Sequence, residues 1–436
     1  MIGRSREALR RLGEFLTPFE GCFLRKKQRG AVMRYVDGLI GPSERKNLQQ
    51  MWASLEDPGD YQALHHFITE STWPDQKVWR TLRETVPDRS GLLIVDDTGI
   101  PKQGRHSVGV QRQYSGTMGK IGNCQVAVST VLRSSDSTWL LAMDLYLPET
   151  WTEDPERRAK GEIPEDLLFR TKWQIALEQI RTAIREGFQA ECVLADAGYG
   201  ECLEFRSGLG RMGLFYAVGV TGQSSVFEKP PHLVGPKQSR RGPPRPRRIA
   251  RNQRHPISIA VLAKALPRFA FRTYTWRNGS GPRHRARVAA LRVVPAQGWQ
   301  KKSVHEACWL LVEKRSNETK YFLSNLPPQT TTHRMVEWIH ARWSIEQNYR
   351  DLKNELGFDH FAGRRYEGWN HHAVLTALAY TFLQMERRRG VRGGECLTLP
   401  VIRKFIRKVL LCLHVAGDRD MFRTVVDFHR NPPLRM

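Results

Sequence analysis

The sequence predicts a mixed α/β protein: a helical segment in front, a sheet-based core behind it, and a β-rich stretch that interrupts the core before a last helical part. Three observations carry this. Two short apolar runs, 91 to 98 and 192 to 200, end on aspartates, as buried strands do when they deliver acids to a sheet edge. Between them lie two alternating runs and one helix-periodic segment, and much later comes a helix with one glutamate among cations. Strand, hairpin, helix, strand and late helix is the order of a mixed layer rather than of a repeated βαβ unit.

Residues 4 to 15, 27 to 39, 43 to 55, 60 to 70 and 73 to 86 have helical periodicity, punctuated by Pro42-Ser43 and Pro58-Gly59. Arg4, Arg6, Arg10, Arg11, Arg25, Lys26, Lys27 and Arg29 make this segment basic, as a solvated helical cap or as a DNA-end recognition domain. Gly91-Leu92-Leu93-Ile94-Val95-Asp96-Asp97-Thr98 reads as the first buried strand, followed by a glycine-rich basic loop with Lys102, Arg105, Arg112 and Lys120. Runs 125 to 132 and 139 to 147, split by Arg133-Ser134-Ser135-Asp136-Ser137, read as a hairpin. A helix is expected over 167 to 186, with Leu168 among its apolar positions; then come the strand that ends at Asp196-Ala197-Gly198 and a further strand over 214 to 220. This order is that of the ribonuclease H-like fold.

From 236 to 255 the chain has eight Lys/Arg and no acid, including Arg240, Arg241, Arg245, Arg247 and Arg248, with prolines that oppose regular structure. That is the composition of a phosphate-seeking loop. Residues 269 to 276, 285 to 294, 307 to 314 and 319 to 324 alternate like strands and are expected to form a β-rich insertion. Its Trp276, Trp299 and Trp309 either pack a small core or stack on an exposed base. Thr330-Thr331-Thr332 offer an N-cap for the next helix. Residues 373 to 385 make an apolar helix, and 400 to 409 a short one in a basic C-terminal region.

Charge bounds the partners. Among 436 residues, 69 Lys+Arg face 44 Asp+Glu, a net charge of +25, so the favoured partner is a polyanion. No stretch approaches the ~20 apolar residues of a membrane span, and the start has no apolar signal core, which points to a soluble, cytoplasmic protein without a membrane partner. Seven scattered cysteines without a Cys-x-x-Cys pair argue against a disulfide framework and structural zinc. The His371-His372 pair has no partners at ligand spacing.

On the late helix, Arg342, Glu346, Arg350 and Lys353 fall on one narrow face beside an apolar stripe of Trp338, Ile345, Tyr349, Leu352 and Leu356. Alone this is the pattern of a salt-bridged surface. Together with two strand-end aspartates it changes meaning, because three carboxylates on separate elements are what a two-metal phosphoryl-transfer site requires. Mg²⁺ takes a few carboxylates and keeps waters and phosphate oxygens in its shell. Arg342 and Lys353 would then neutralise phosphate charge.

Three blocks bring a family into view: Leu93-Ile94-Val95-Asp96-Asp97-Thr98-Gly99-Ile100-Pro101-Lys102-Gln103-Gly104, Leu194-Ala195-Asp196-Ala197-Gly198-Tyr199-Gly200, and Arg342-Trp343-Ser344-Ile345-Glu346 through Lys353-Asn354-Glu355-Leu356-Gly357-Phe358-Asp359-His360-Phe361. They resemble DDE transposases of bacterial insertion sequences, and most of all the insertion sequence 701 group, related to the insertion sequence 4 superfamily. The resemblance spans residues 20 to 385.

It implies a ribonuclease H-like catalytic core, two Mg²⁺ or Mn²⁺ ions, and cut-and-paste movement of an element with terminal inverted repeats. The acids it implies are Asp96, Asp196 and Glu346, with Asp97 the alternative first acid, serving both as catalytic residues and as metal ligands. Its Tyr, Arg, Glu, Lys signature falls on Arg342, Glu346 and Lys353, whereas Ile339 stands at the tyrosine position. DNA contacts are expected from Arg342, Arg350, Lys353, Lys102, Arg105, the 240 to 248 arginines, Trp299 and Trp309, the last two by analogy with a tryptophan that holds a flipped base in relatives.

The implied organisation is a DNA-binding helical domain over 1–88, core parts over 89–220 and 326–390, the basic loop and insertion over 221–325, and a basic tail over 391–436. The implied activity is cleavage at the terminal repeats and transfer of the 3′-OH ends into target DNA, by a homodimer on DNA, nucleoid-associated in a bacterium. A domesticated, non-cutting DNA-binding protein and a related host nuclease are the other readings of the same fold.

Overall fold

The computed structural model describes residues 10–116, 118–135, 137–234, 248–250, 254–277, 283–300, 305–316, 318–392 and 398–404. A helical segment comes first: residues 10 to 16 are helical, a 3-10 turn follows at Thr17–Cys22, and then α1 (Lys26–Ile40), α2 (Leu48–Ala53), α3 (Tyr61–Thr69) and α4 (Asp75–Thr85). The helix expected over 43 to 55 begins later because Asn47 caps it, its side chain accepting from the Gln50 N–H at 2.8 Å.

The sheet begins with β1 (Ser90–Pro101), β2 (Gln111–Ser115), β3 (Lys120–Arg133) and β4 (Thr138–Tyr146). β1 pairs antiparallel with β3, and β3 antiparallel with β4, which is the expected hairpin. After α5 (Lys172–Arg185), β5 (Gln189–Ala195) returns parallel to β1, and beyond α6 (Leu203–Arg211) β6 (Tyr216–Val220) runs parallel to β5. Spatially the strands run β4-β3-β1-β5-β6. The helix expected from 167 starts only at Lys172, because the Thr171 N–H donates to Gln174 Oε1 at 2.8 Å and closes a capping box there. Leu168 is accordingly exposed rather than part of an apolar stripe.

The β-rich stretch supplies β7 (Ser225–Phe227), β8 (Arg272–Arg277), β9 (Arg283–Pro295), β10 (Cys308–Lys314) and β11 (Thr319–Ser324). These strands continue the core's own sheet, because β11 pairs antiparallel with β6. One face of them has a core of its own, where Ala289, Val293, Leu310 and Val312 meet Ile259 and Leu262 of a short helix. The other face joins the main core through Trp276, Val288 and Leu311.

Two layers of helix sandwich the first strands. Thr130 Oγ1 bonds Gln179 of α5 at 2.8 Å, whereas its neighbour Ser129 Oγ meets the Tyr349 hydroxyl at 2.7 Å. Adjacent strand residues point to opposite faces, so α5 covers one face and the helix that carries Tyr349 covers the other. The long helix α9 (Tyr366–Arg392) packs on β4 and also on α1, α3 and α4, so the helical segment shares the main core. α7 (Thr332–Ala341) and α8 (Trp343–Arg350) are the two helices of the site below. No described helix is long and apolar enough to cross a membrane.

His371 and His372 sit at that junction, both buried. His372 lies between the Tyr35 hydroxyl at 2.9 Å and the Phe358 carbonyl at 3.0 Å. Burial pushes its imidazole down to about 3, although the Phe358 carbonyl opposes the shift. A histidine whose folded-state value lies below its unfolded one stabilises the fold above pH 6.5 and loses that contribution as pH falls toward the folded value. We therefore expect His372→Gln to lose less stability than the native chain between pH 7 and pH 4.5, by roughly 2 kcal/mol in urea unfolding. Equal losses would mean that the His372 imidazole takes up its proton in the folded chain as readily as in the unfolded one.

Candidate active site

Asp96 and Asp97 are neighbours on β1, so alternation separates them. Asp96 lies opposite Ser129 and shares its face, while Asp97 lies opposite Val128 on the face covered by α5. The partners follow: Arg342 Nη1 donates to Asp96 Oδ2 at 2.6 Å, and Lys172 Nζ of α5 donates to Asp97 Oδ2 at 3.0 Å. Lys172 was not legible as a site residue, because a lone lysine at a helix start carries no sequence signal. Burial pushes both carboxyls up, Asp96 to about 7, with Arg342 opposing at Asp96, Lys172 opposing at Asp97, and Asp196 repelling each.

Asp196 follows the last residue of β5 and caps the helical turn Ala197–Gly200, its Oδ1 accepting from the Tyr199 N–H at 3.3 Å. That turn lies directly on β6. A Cβ added at Gly200 would meet the Gly219 carbonyl oxygen at 1.9 Å, and one at Gly219 would meet the Ala197 nitrogen at 2.9 Å. Both glycines are required by this close approach, which fixes where Asp196 stands.

Glu346 arrives on a bent helical path. Thr331 caps α7 (Thr332–Ala341), accepting from the Arg334 N–H at 3.3 Å, as the threonine run anticipated. The helix then breaks at Arg342, restarts as α8 (Trp343–Arg350), and ends in a π-helical turn, Asp351–Glu355. The straight face read from the sequence is therefore corrected: the break and the wider turn separate its members. Arg342 and Glu346 remain together, with Arg342 Nη2 donating to Glu346 Oε1 at 2.5 Å. Lys353 turns to the Gly99 carbonyl on β1 at 2.8 Å, while Arg350 is exposed and meets Gln347.

Arg342 thus holds two acids from different elements at once. Burial works against its charge, but Asp96, Glu346 and Asp196 more than offset this and raise its pKa. An oxygen-only set of mutually repelling acids suits a hard divalent cation. Yet among the described residues no three His, Cys, Asp or Glu side chains are grouped closely enough to hold a metal ion. The guanidinium supplies the positive charge between Asp96 and Glu346 as they stand. Asp96, Asp196 and Glu346 would be the ligands only after Arg342 lets Glu346 close.

The other anticipated contacts scatter. Lys102 donates to the Phe361 carbonyl, and Arg105 is exposed. Trp309 is half-buried, its indole N–H donating to the Pro327 carbonyl at 3.1 Å. Trp299 packs edge-on against Phe227 at 5.8 Å and lines an open cleft of about 560 Å³ with Glu201, Arg206 and Ser224. None of the three acids lines that cleft. Ile339, at the signature's tyrosine position, is buried, and Tyr349 lies under the site on Ser129. Arg248 lies on a short strand pair, while Arg240, Arg241, Arg245 and Arg247 fall outside the described residues.

With this geometry in hand, the family model for the DDE superfamily endonuclease matches residues 18–283, more than half of the chain. The chain belongs to the DDE superfamily endonucleases. The match takes in Asp96, Asp97 and Asp196 and stops before Glu346. The chain is also similar to a protein of Microchaete diplosiphon described as a probable transposase for insertion sequence element IS701, with 35% identity over 189 residues, 42% of this chain and 46% of that protein. The similarity therefore spans about half the length of that relative. The resemblance to insertion-sequence transposases read from the three motif blocks holds for this DDE endonuclease.

Because Gly200 touches β6 with no room for a methyl group, Gly200→Ala should cost about 1–3 kcal/mol in chemical unfolding. A variant as stable as the native chain would show that the Asp196 turn is not packed as described.

Proposed function

We propose that this DDE endonuclease is a transposase, one that cleaves DNA at the terminal inverted repeats of its insertion sequence and joins the freed 3′-OH ends to target DNA. The observation that carries this reading is the Arg342 guanidinium bonded at once to Asp96 of β1 and to Glu346 of a distant helix, with the charge of Asp196, just after the neighbouring strand, also raising its pKa. The strand order β4-β3-β1-β5-β6, antiparallel and then parallel, supports a ribonuclease H-like core beneath them. The described likeness to a probable insertion-sequence transposase supports the substrate.

In this reading Asp96 is the first acid, because it shares the face of Arg342 and Glu346, whereas Asp97 faces α5 and is neutralised by Lys172. Asp96, Asp196 and Glu346 would hold Mg²⁺ or Mn²⁺, whose chemistry there would be activation of the attacking oxygen and stabilisation of the leaving one. Arg342 does two jobs in turn: before DNA arrives it keeps Asp96 and Glu346 from repelling one another, and with DNA in place its fork turns to a phosphate. Lys353 and Lys102, both held on backbone carbonyls beside the site, supply further positive charge toward the strand being cut. Two element ends have to be held together for joining, so the active form is a homodimer on DNA, working on the bacterial nucleoid.

Glu346→Gln keeps the helix and most of the side chain's shape but removes a charge. It should bind a duplex carrying the terminal repeat as the native chain does and cleave it roughly 10³-fold more slowly or not at all. Cleavage at the native rate would move the third acid elsewhere.

A further inference from the structure

The hairpin of β8 and β9 has two unlike faces. On the inner one, Tyr274, Trp276, Ala286 and Val288 pack inward, and Trp276 lies flat on His340 of α7 at 3.6 Å. That stack sits two residues before Arg342, so the hairpin is fastened to the end of α7 that leads directly into α8 and Glu346.

The outer face reads differently. Strand alternation and the register put Arg283, Arg285 and Arg287 of β9 on it, beside Arg277 of β8 and Lys314 of β10, all exposed. Further along the same face of β9 come Ala289 and Val293, which the short helix Ile259–Ala265 covers. The cover stops where the arginines begin.

Among the described residues no acid lies on this face of the three strands. Arg277, Arg283 and Arg285 have no ion-pair or hydrogen-bond partner among the described residues, and Arg277 stands directly opposite Arg283. Like charges directly opposite on neighbouring strands destabilise a sheet. Arg287 and Lys314 are fixed more firmly, both lying over the Phe271 ring, at 5.8 Å and 4.1 Å. A bare face of five cations, kept at a cost and spaced by about 7 Å along the strand, calls for a counter-charge with repeating negative groups.

We infer that this arginine ladder is a docking surface for the phosphate backbone of duplex DNA, which it holds in fixed relation to the Glu346 helix. The inference rests on the transposase reading, since that reading supplies the duplex. The contacts are to phosphate, so they carry affinity and position rather than sequence preference.

The test uses the full chain with EDTA present, so that binding is read without cutting. Binding is measured by fluorescence anisotropy across a salt series, on a duplex with the terminal repeat and on an unrelated duplex. Changing Arg277, Arg283 and Arg285 together to Gln should reduce the slope of log affinity against log salt by about 2 to 3, equally on both duplexes. Lysine at the same three positions should restore most of the slope, because a point charge suffices for a phosphate.

An unchanged slope in the Gln variant, or a loss that lysine does not restore, would overturn the ladder as a docking surface while leaving the transposase reading in place. A native chain that binds neither duplex would overturn that reading and this inference with it.

Discussion

The structure turns on one constraint: acids from separate elements are brought toward one partly buried place, and something positive has to lie between them. Desolvation, with Asp196 and Asp97 pushing the same way, raises the Asp96 carboxyl to about 7 even against the opposing charge of Arg342. Arg342 is the answer built into the chain, bonded to Asp96 on one side and to Glu346 on the other. Much of the surrounding architecture serves that meeting. The Gly200–Gly219 contact sets Asp196 at the end of its strand, and the break at Arg342 lets a helix begun at Thr331 turn its second half toward β1. Lys172 takes Asp97 out of the cluster on the opposite face.

How legible this was depends on whether the signal was local. Asp196 could be read as a strand-end acid because an apolar run that stops on an acid needs no tertiary information, whereas β1 runs on past Asp96 and Asp97 to Pro101, held by its pairing with β3; the hairpin of β3 and β4 followed from alternation. The start of α7 was equally plain, since Thr331 makes its cap with residues three positions on. Starts marked by a single cap among several polar residues were placed wrongly, at residue 43 instead of Leu48 and at residue 167 instead of Lys172. In both cases the chain begins its helix where a side chain can satisfy the first free N–H groups, and not where apolar periodicity first becomes visible.

Non-local features were out of reach. An alternating segment does not say which sheet it joins, so the expected insertion carries no sign that β11 pairs with β6 and continues the core sheet. Which helix lies over Asp96 and which over Asp97 depends on Ser129 with Tyr349 and on Thr130 with Gln179, contacts 220 and 49 residues apart in sequence. The arginine ladder was hidden for the same reason: Arg283, Arg285 and Arg287 look like ordinary polar positions of a strand until the register places Arg277 and Lys314 beside them.

The account stands or falls on whether these acids do chemistry on DNA. The most direct measurement incubates a duplex bearing the element's own terminal repeat with the native chain in Mg²⁺, and with Asp196→Ala beside it, and maps the ends that form. The account requires Mg²⁺-dependent breaks at the repeat that leave a 3′-OH able to join plasmid DNA, all lost in the variant. Tight binding without breaks in either protein would contradict it and leave a DNA-binding protein that keeps the fold without the cutting.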